Sequence, residues 1–176
     1  MLHRLRGLRI PASRSIARWV GAACLWFIML GLSTGATQAQ SVTEFIAGIT
    51  VQADPVGITA GPDGNLWFTV QAGNRIGRIT TAGVVTEFSA GISAGAQPWG
   101  ITAGPDGNLW FTENAGNRIG QITTAGVVKE FSAGITAGGD LIDITTGPDG
   151  NLWFTEQIGN RIGRITTAGV VTEFSA

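Results

Sequence analysis

Gly61-Pro62-Asp63-Gly64-Asn65-Leu66-Trp67-Phe68-Thr69 decides the fold, because the same nine residues return at Gly104 to Thr112 and again at Gly147 to Thr155. Trp67, Trp110 and Trp153 are each 43 residues from the next. A constant period of this length marks an array in which every repeat is one supersecondary unit. The stretch is half turn and half strand. Pro fixes φ for a turn, Asp-Gly-Asn tolerates positive φ, and Leu-Trp-Phe-Thr leaves as an aromatic, β-prone run.

Working outward, each unit offers four short strands separated by turn residues. In the second unit they are expected at Gly100 to Ala103, Leu109 to Glu113, Arg118 to Thr123 and Val127 to Phe131. The connections are too short for crossover helices, so the unit is an antiparallel meander. Four strands at a period of 43 residues match a β-propeller blade. A stacked β-helix is the competitor, but its rungs are shorter and lack such hairpins. The fold class is therefore all-β, with four-stranded antiparallel blades in three 43-residue repeats, an incomplete propeller.

Trp110 and Phe111 are neighbours and so point to opposite faces, as expected of a blade packed between two others. Ile119 and Ile122, three apart, break a strict period of two and suggest a bulge or twist at Gly120. Val42-Thr43-Glu44-Phe45 repeats Val171 to Phe174 letter for letter and reads as a spare fourth strand. Three blades and one strand leave open apolar faces and edges, which point to a fragment of a longer propeller or to self-association.

Residues 1–40 read differently from the rest. Arg4, Arg6, Arg9, Arg14 and Arg18 precede an apolar run from Trp19 to Leu32, and small residues follow it up to Ala39. This is the pattern of a signal peptide cut near Ala39 or Gln40, and it places the protein outside the cytoplasm, secreted or periplasmic. The competing reading is an uncleaved anchor, although the apolar run is short for a span. Cys24 sits inside the apolar run, so a lipoprotein cysteine is disfavoured.

Residues 41–176 form the propeller portion. They carry six basic residues against twelve acidic ones, a net charge of −6, which argues against nucleic acid as a partner. The one His and the one Cys, His3 and Cys24, leave with the leader. Disulfides, thiolate nucleophiles and imidazole bases leave with them. No membrane partner is expected once the leader is cut, and the ligand is unknown.

The run Pro98-Trp99-Gly100-Ile101-Thr102 through Gly104 to Glu113, then Gly116-Asn117-Arg118-Ile119-Gly120 and Val127 to Phe131, resembles the repeat of the streptogramin B lyase (virginiamycin B lyase) family. The resemblance covers nearly all of residues 41–176. It implies a seven-bladed propeller that opens a cyclic depsipeptide antibiotic by magnesium-assisted elimination, without hydrolysis. It also implies a catalytic His in an acid-Pro-His-Gly-Ile motif, with metal-binding carboxylates at that acid and at the Glu ending Trp-Phe-Thr-Glu.

Laid on this chain, the acid position reads Asp54, Gln97 and Asp140, and the His position reads Val56, Trp99 and Ile142. The second carboxylate position reads Val70, Glu113 and Glu156. Asp140, Glu156 and Glu113 are thus the candidate ligands for a magnesium ion, with Asp143 beside them, and no catalytic residue is assigned. The competing reading pairs Glu113 and Glu156 with Arg118 and Arg161. Asp63, Asp106 and Asp149 lack the alternating acids of a calcium loop and read as turn formers. Glu44, Glu87, Glu130 and Glu173 read as charges protecting an outer edge. Two functions follow from the residues: a binding or scaffold module, or a lyase whose base is supplied by further blades.

Overall fold

The structure, a computed structural model, describes residues 41–175. The expected leader lies outside the described residues. Three sheets follow one another, each a four-stranded antiparallel meander. The first holds β1 (Pro55–Ala60), β2 (Leu66–Val70), β3 (Arg75–Ile79) and β4 (Val85–Phe88). The second holds β5 (Pro98–Ala103), β6 (Leu109–Glu113), β7 (Arg118–Ile122) and β8 (Val128–Phe131). The third holds β9 (Leu141–Thr146), β10 (Leu152–Glu156), β11 (Arg161–Ile165) and β12 (Val171–Phe174). The first strands β1, β5 and β9 lie side by side, so the sheets are successive blades.

Turn chemistry explains where the strands end. In the first hairpin of each blade, Gly64, Gly107 and Gly150 take φ of 76°, 76° and 73°. The aspartate before each glycine accepts from the backbone N–H of the asparagine after it, at 3.2 to 3.3 Å. The same carboxylate also accepts the indole N–H of Trp67, Trp110 or Trp153, at 2.9, 3.1 and 2.9 Å. The turn aspartate therefore aims the tryptophan that begins the blade's packing.

Trp110 and Phe111 do serve opposite faces. Trp110 packs with Ile119, Ile144, Leu152 and Phe154 between blades two and three. Phe111 packs with Trp67, Ile76, Ile101 and Leu109 between blades one and two. Each tryptophan also stacks on the outer-strand phenylalanine of its own blade, at 5.3 to 5.5 Å between ring centroids.

The irregularity expected at Gly120 is elsewhere. The β6–β7 register runs unbroken through Phe111↔Gly120, and a Cβ on Gly120 would collide with the Phe111 ring. Ile119 and Ile122 are both buried because each lies on a covered face of the blade. The shifts fall instead on the first strands, between Pro55 and Ile58, between Pro98 and Ile101, and in the pairing of β9 with β10. There the N–H of Gly57 leaves the ladder and bonds Thr69 Oγ1 at 2.8 Å, and Gly100 bonds Thr112 Oγ1 at 2.9 Å. The threonine hydroxyls then donate to the next blade, Thr69 to Trp99 O at 2.6 Å and Thr112 to Ile142 O at 2.8 Å. One hydroxyl thus closes a bulge and rivets two blades.

Val42 to Phe45 is not a strand. Among the described residues no third strand stands beside it, so its backbone joins no ladder there. Its phenylalanine is nevertheless placed as in the repeats. Phe45 lies against Gly83, as Phe88 lies against Gly126 and Phe131 against Gly169. These glycines hold φ of 85°, 88° and 89° at the third hairpin, and a Cβ on any of them would strike the ring.

Candidate functional site

In each blade one arginine and its glutamate partners meet at one end because the register puts them there. Glu113, the last residue of β6, pairs with Arg118, the first of β7. Glu156 and Arg161 do the same in the third blade. Glu130 and Glu173 stand one strand further out, opposite Gly120 and Gly163.

Arg118 Nε donates to Glu113 Oε2 at 2.9 Å and lies 3.4 Å from Glu130 Oε2. Arg161 repeats this with Glu156 at 2.9 Å and Glu173 at 3.4 Å. In the first blade Val70 takes the place of the inner acid, and Arg75 bonds Glu87 as its one carboxylate, at 2.9 Å, and also donates to the Thr50 hydroxyl. The outer glutamates are therefore not edge charges. Glu130 accepts from the backbone N–H and the hydroxyl of Ser93, both at 2.6 Å, and Glu173 does the same with Thr136. Glu87 holds Thr50 in the same way. Each clamps the loop entering its own blade. Glu44 is the exception and is exposed.

Ser93, Thr50 and Thr136 went unread in the sequence, yet a signal was there. A hydroxyl residue stands five positions after Phe45, Phe88 and Phe131 alike.

Burial dominates the titration of the inner acids. The Glu113 side chain is fully buried, with Oε1 unpartnered, and its carboxyl is pushed up to about 7 against the pull of Arg118, with Glu130 adding to the rise. Glu156 is raised for the same reasons, burial first, with Arg161 opposing and Glu173 assisting. Burial also acts on Glu130, but Ser93 and Arg118 outweigh it and leave it below the usual range.

Asp140 belongs to a different set. It takes a left-handed φ of 57°, as Asp54 and Gln97 do at 48° and 53°. Its carboxylate accepts from Asn114 of the preceding blade. Among the described residues no three His, Cys, Asp or Glu groups converge as a metal site. Glu113 and Glu156 each give one oxygen to a guanidinium, and the other oxygen is enclosed. Asp140, Glu113 and Glu156 therefore do not by themselves make a magnesium site, and no chemical step is routed through one. Asp143 is exposed, and its backbone N–H bonds Thr155 Oγ1 at 3.1 Å.

At the motif's histidine position stand Val56, exposed, and Trp99 and Ile142, half-buried. None can take a proton. The carbonyls of Trp99 and Ile142 are already engaged by Thr69 and Thr112. What the blade ends can do is hold loops in place and present an apolar rim.

The family model of the Virginiamycin B lyase family matches residues 21–176. Among solved structures, virginiamycin B lyase from Staphylococcus aureus, as its selenomethionine form, is 47% identical with a TM-score of 0.72, over 76% of this chain and 44% of that one. A catalytically inactive histidine-to-alanine variant of the Staphylococcus aureus enzyme, with quinupristin, is 44% identical with a TM-score of 0.68, over 72% of this chain and 43% of that one. A streptogramin B lyase is 40% identical with a TM-score of 0.72, over 77% and 45%. The chain thus spans less than half the length of these structures. No curated protein matches the sequence.

Proposed function

Because the chain belongs to the virginiamycin B lyase family, we propose that it is an exported propeller module that binds its ligand without transforming it. The observation that carries this reading is Val56, Trp99 and Ile142 at the three positions of the family's histidine. Elimination requires a base to remove a proton alpha to a carbonyl and a group to hold the developing charge. A general base contributes roughly 10² to 10⁴ in rate. Residues 41–176 contain no His or Cys to take that part. Glu113, whose carboxyl burial pushes up to about 7, is sealed from any substrate.

The ligand class follows from kinship. The quinupristin-containing structure is 44% identical to this chain, and the apolar rim suits a cyclic depsipeptide of that kind. A second reading, a magnesium-dependent lyase completed by further blades, is favoured by the retention of Asp140, Glu113 and Glu156 at the family's carboxylate positions.

One experiment separates the two. The exported form, its new N-terminus sequenced at Gln40 or Ser41, is incubated with quinupristin and magnesium. Ring opening by elimination leaves the mass unchanged, so chromatography with fragment-ion spectra reads it, while calorimetry reads binding. Binding heat with no linear product is expected. A linear product that disappears with EDTA would sink the binding-only reading and establish the lyase.

A further inference from the structure

The joint between blades one and two lies inside the array, and two of its residues depart from the repeat. Where the other blades carry Asp54 and Asp140, the second carries Gln97. Where they carry Val56 and Ile142, it carries Trp99.

Gln97 is held in a conformation that does not suit it. All three residues at this position take a left-handed φ, 48° at Asp54, 53° at Gln97 and 57° at Asp140. Aspartate tolerates that region because its short side chain bonds locally, an advantage that glutamine lacks. The conformation is imposed from two sides. The Gln97 N–H donates to Asn74 Oδ1 of the first blade at 3.1 Å, and its carbonyl accepts from the Asn114 N–H at 3.1 Å. A residue kept at such a backbone cost while its side chain stands exposed points to a use for that side chain.

The next joint shows the same positions closed. Asn114 Nδ2 donates to Asp140 and to Leu141 O, so that amide is spent. Gln71, the counterpart of Asn114, brings its Nε2 only to 3.5 Å from Gln97 Oε1, the outer limit of a hydrogen bond. Whichever way round the two carboxamides are placed, one amide N–H and one amide oxygen remain for another partner.

Trp99 adds a ring to this pair. Trp67, Trp110 and Trp153 each give the indole N–H to a turn aspartate and stack on a phenylalanine. Among the described residues Trp99 does neither. It is half-buried beside Pro98 at the start of β5, its carbonyl held by the Thr69 hydroxyl.

We propose that Gln71, Gln97 and Trp99 form a neutral subsite for a peptide group and the apolar side chain next to it. One donor and one acceptor held together are complementary to the C=O and N–H of an amide, and the indole supplies an apolar platform. A neutral sugar is the competing occupant, but its hydroxyls both donate and accept and so make no demand for such a pair. The assignment rests on the reading of the chain as a depsipeptide binder and gives that ligand's backbone one joint to sit on.

Calorimetry on the exported form with quinupristin tests it. Gln97→Asp and Gln97→Gly both suit a left-handed backbone, so they should leave the protein as stable as the parent and weaken binding roughly tenfold. A residue that merely shaped the loop would lose binding only together with stability. Trp99→Val, the change to a small apolar group as at Val56, should weaken binding likewise, whereas Val127→Ala, at an exposed hairpin position, should not. Quinupristin that binds the parent and the Gln97 and Trp99 variants alike would overturn the subsite and leave the binding reading standing. No binding by the parent would sink that reading and the subsite with it. Should the parent open the ring, the loss is expected as a raised KM with kcat unchanged, and an unchanged KM overturns the subsite. Binding of cellohexaose in place of quinupristin, weakened by Gln97→Asp and Trp99→Val, would overturn the peptide assignment.

Discussion

Glu113 is a carboxylate with no exposed side-chain surface, one oxygen on Arg118 and the other without a partner. Its folded titration near 7, against 4.5 for the free group, has a definite sign. Between those values the folded state binds more protons than the unfolded one, so stability falls as pH rises through the window. The full cost above it is about 3 kcal/mol, shared with Glu130 through Arg118. Glu113→Gln keeps an oxygen for Arg118 and removes the charge. Denaturant unfolding should show the variant more stable than the parent at pH 8, with the gain shrinking at pH 4; equal differences at both would refute the account. The first blade already has an uncharged residue there, buried Val70. The pairing of Glu113 with Arg118 was legible from strand position. The inward turn of Glu130 was not, because it depends on the loop that brings Ser93 to its carboxylate, whose path only the packed blade defines.

Among the elements, the strands themselves were the easiest to read. Turn residues bracket every run, and the expected bounds of β6 match while those of β5, β7 and β8 move by one or two residues. The bulge was harder. Gly100 and Gly120 look alike in sequence, but one admits a neighbour's carbonyl and the other a phenylalanine ring. Thr112 shows what the bulge is for, since it is fully buried and satisfies groups of two blades at once. Thr112→Val keeps the shape and strands Gly100 N–H and Ile142 O. The expected loss is about 1–3 kcal/mol, measured by thermal or denaturant unfolding. Thr155→Val, whose hydroxyl is exposed, should cost far less. Comparable losses at the two sites would contradict the riveting role.

For the molecule as a whole, the 43-residue period was enough to give blades and their order. The sameness of the units also bears on how the chain finds its fold. β4 and β12 share Val-Thr-Glu-Phe, and β3 and β11 share Arg-Ile-Gly-Arg-Ile. During collapse a strand of one blade can therefore pair in good register with a partner from another, and the error is recognised only when the connecting loops cannot reach. Such mispaired species are traps that must open before the chain proceeds. Refolding by dilution should show a slow phase that prolyl isomerase does not accelerate, and substitutions that make β12 unlike β4 should shrink its amplitude. A single exponential would dismiss the idea. Three interchangeable blades simplify the architecture, and the same interchangeability makes the search for it ambiguous.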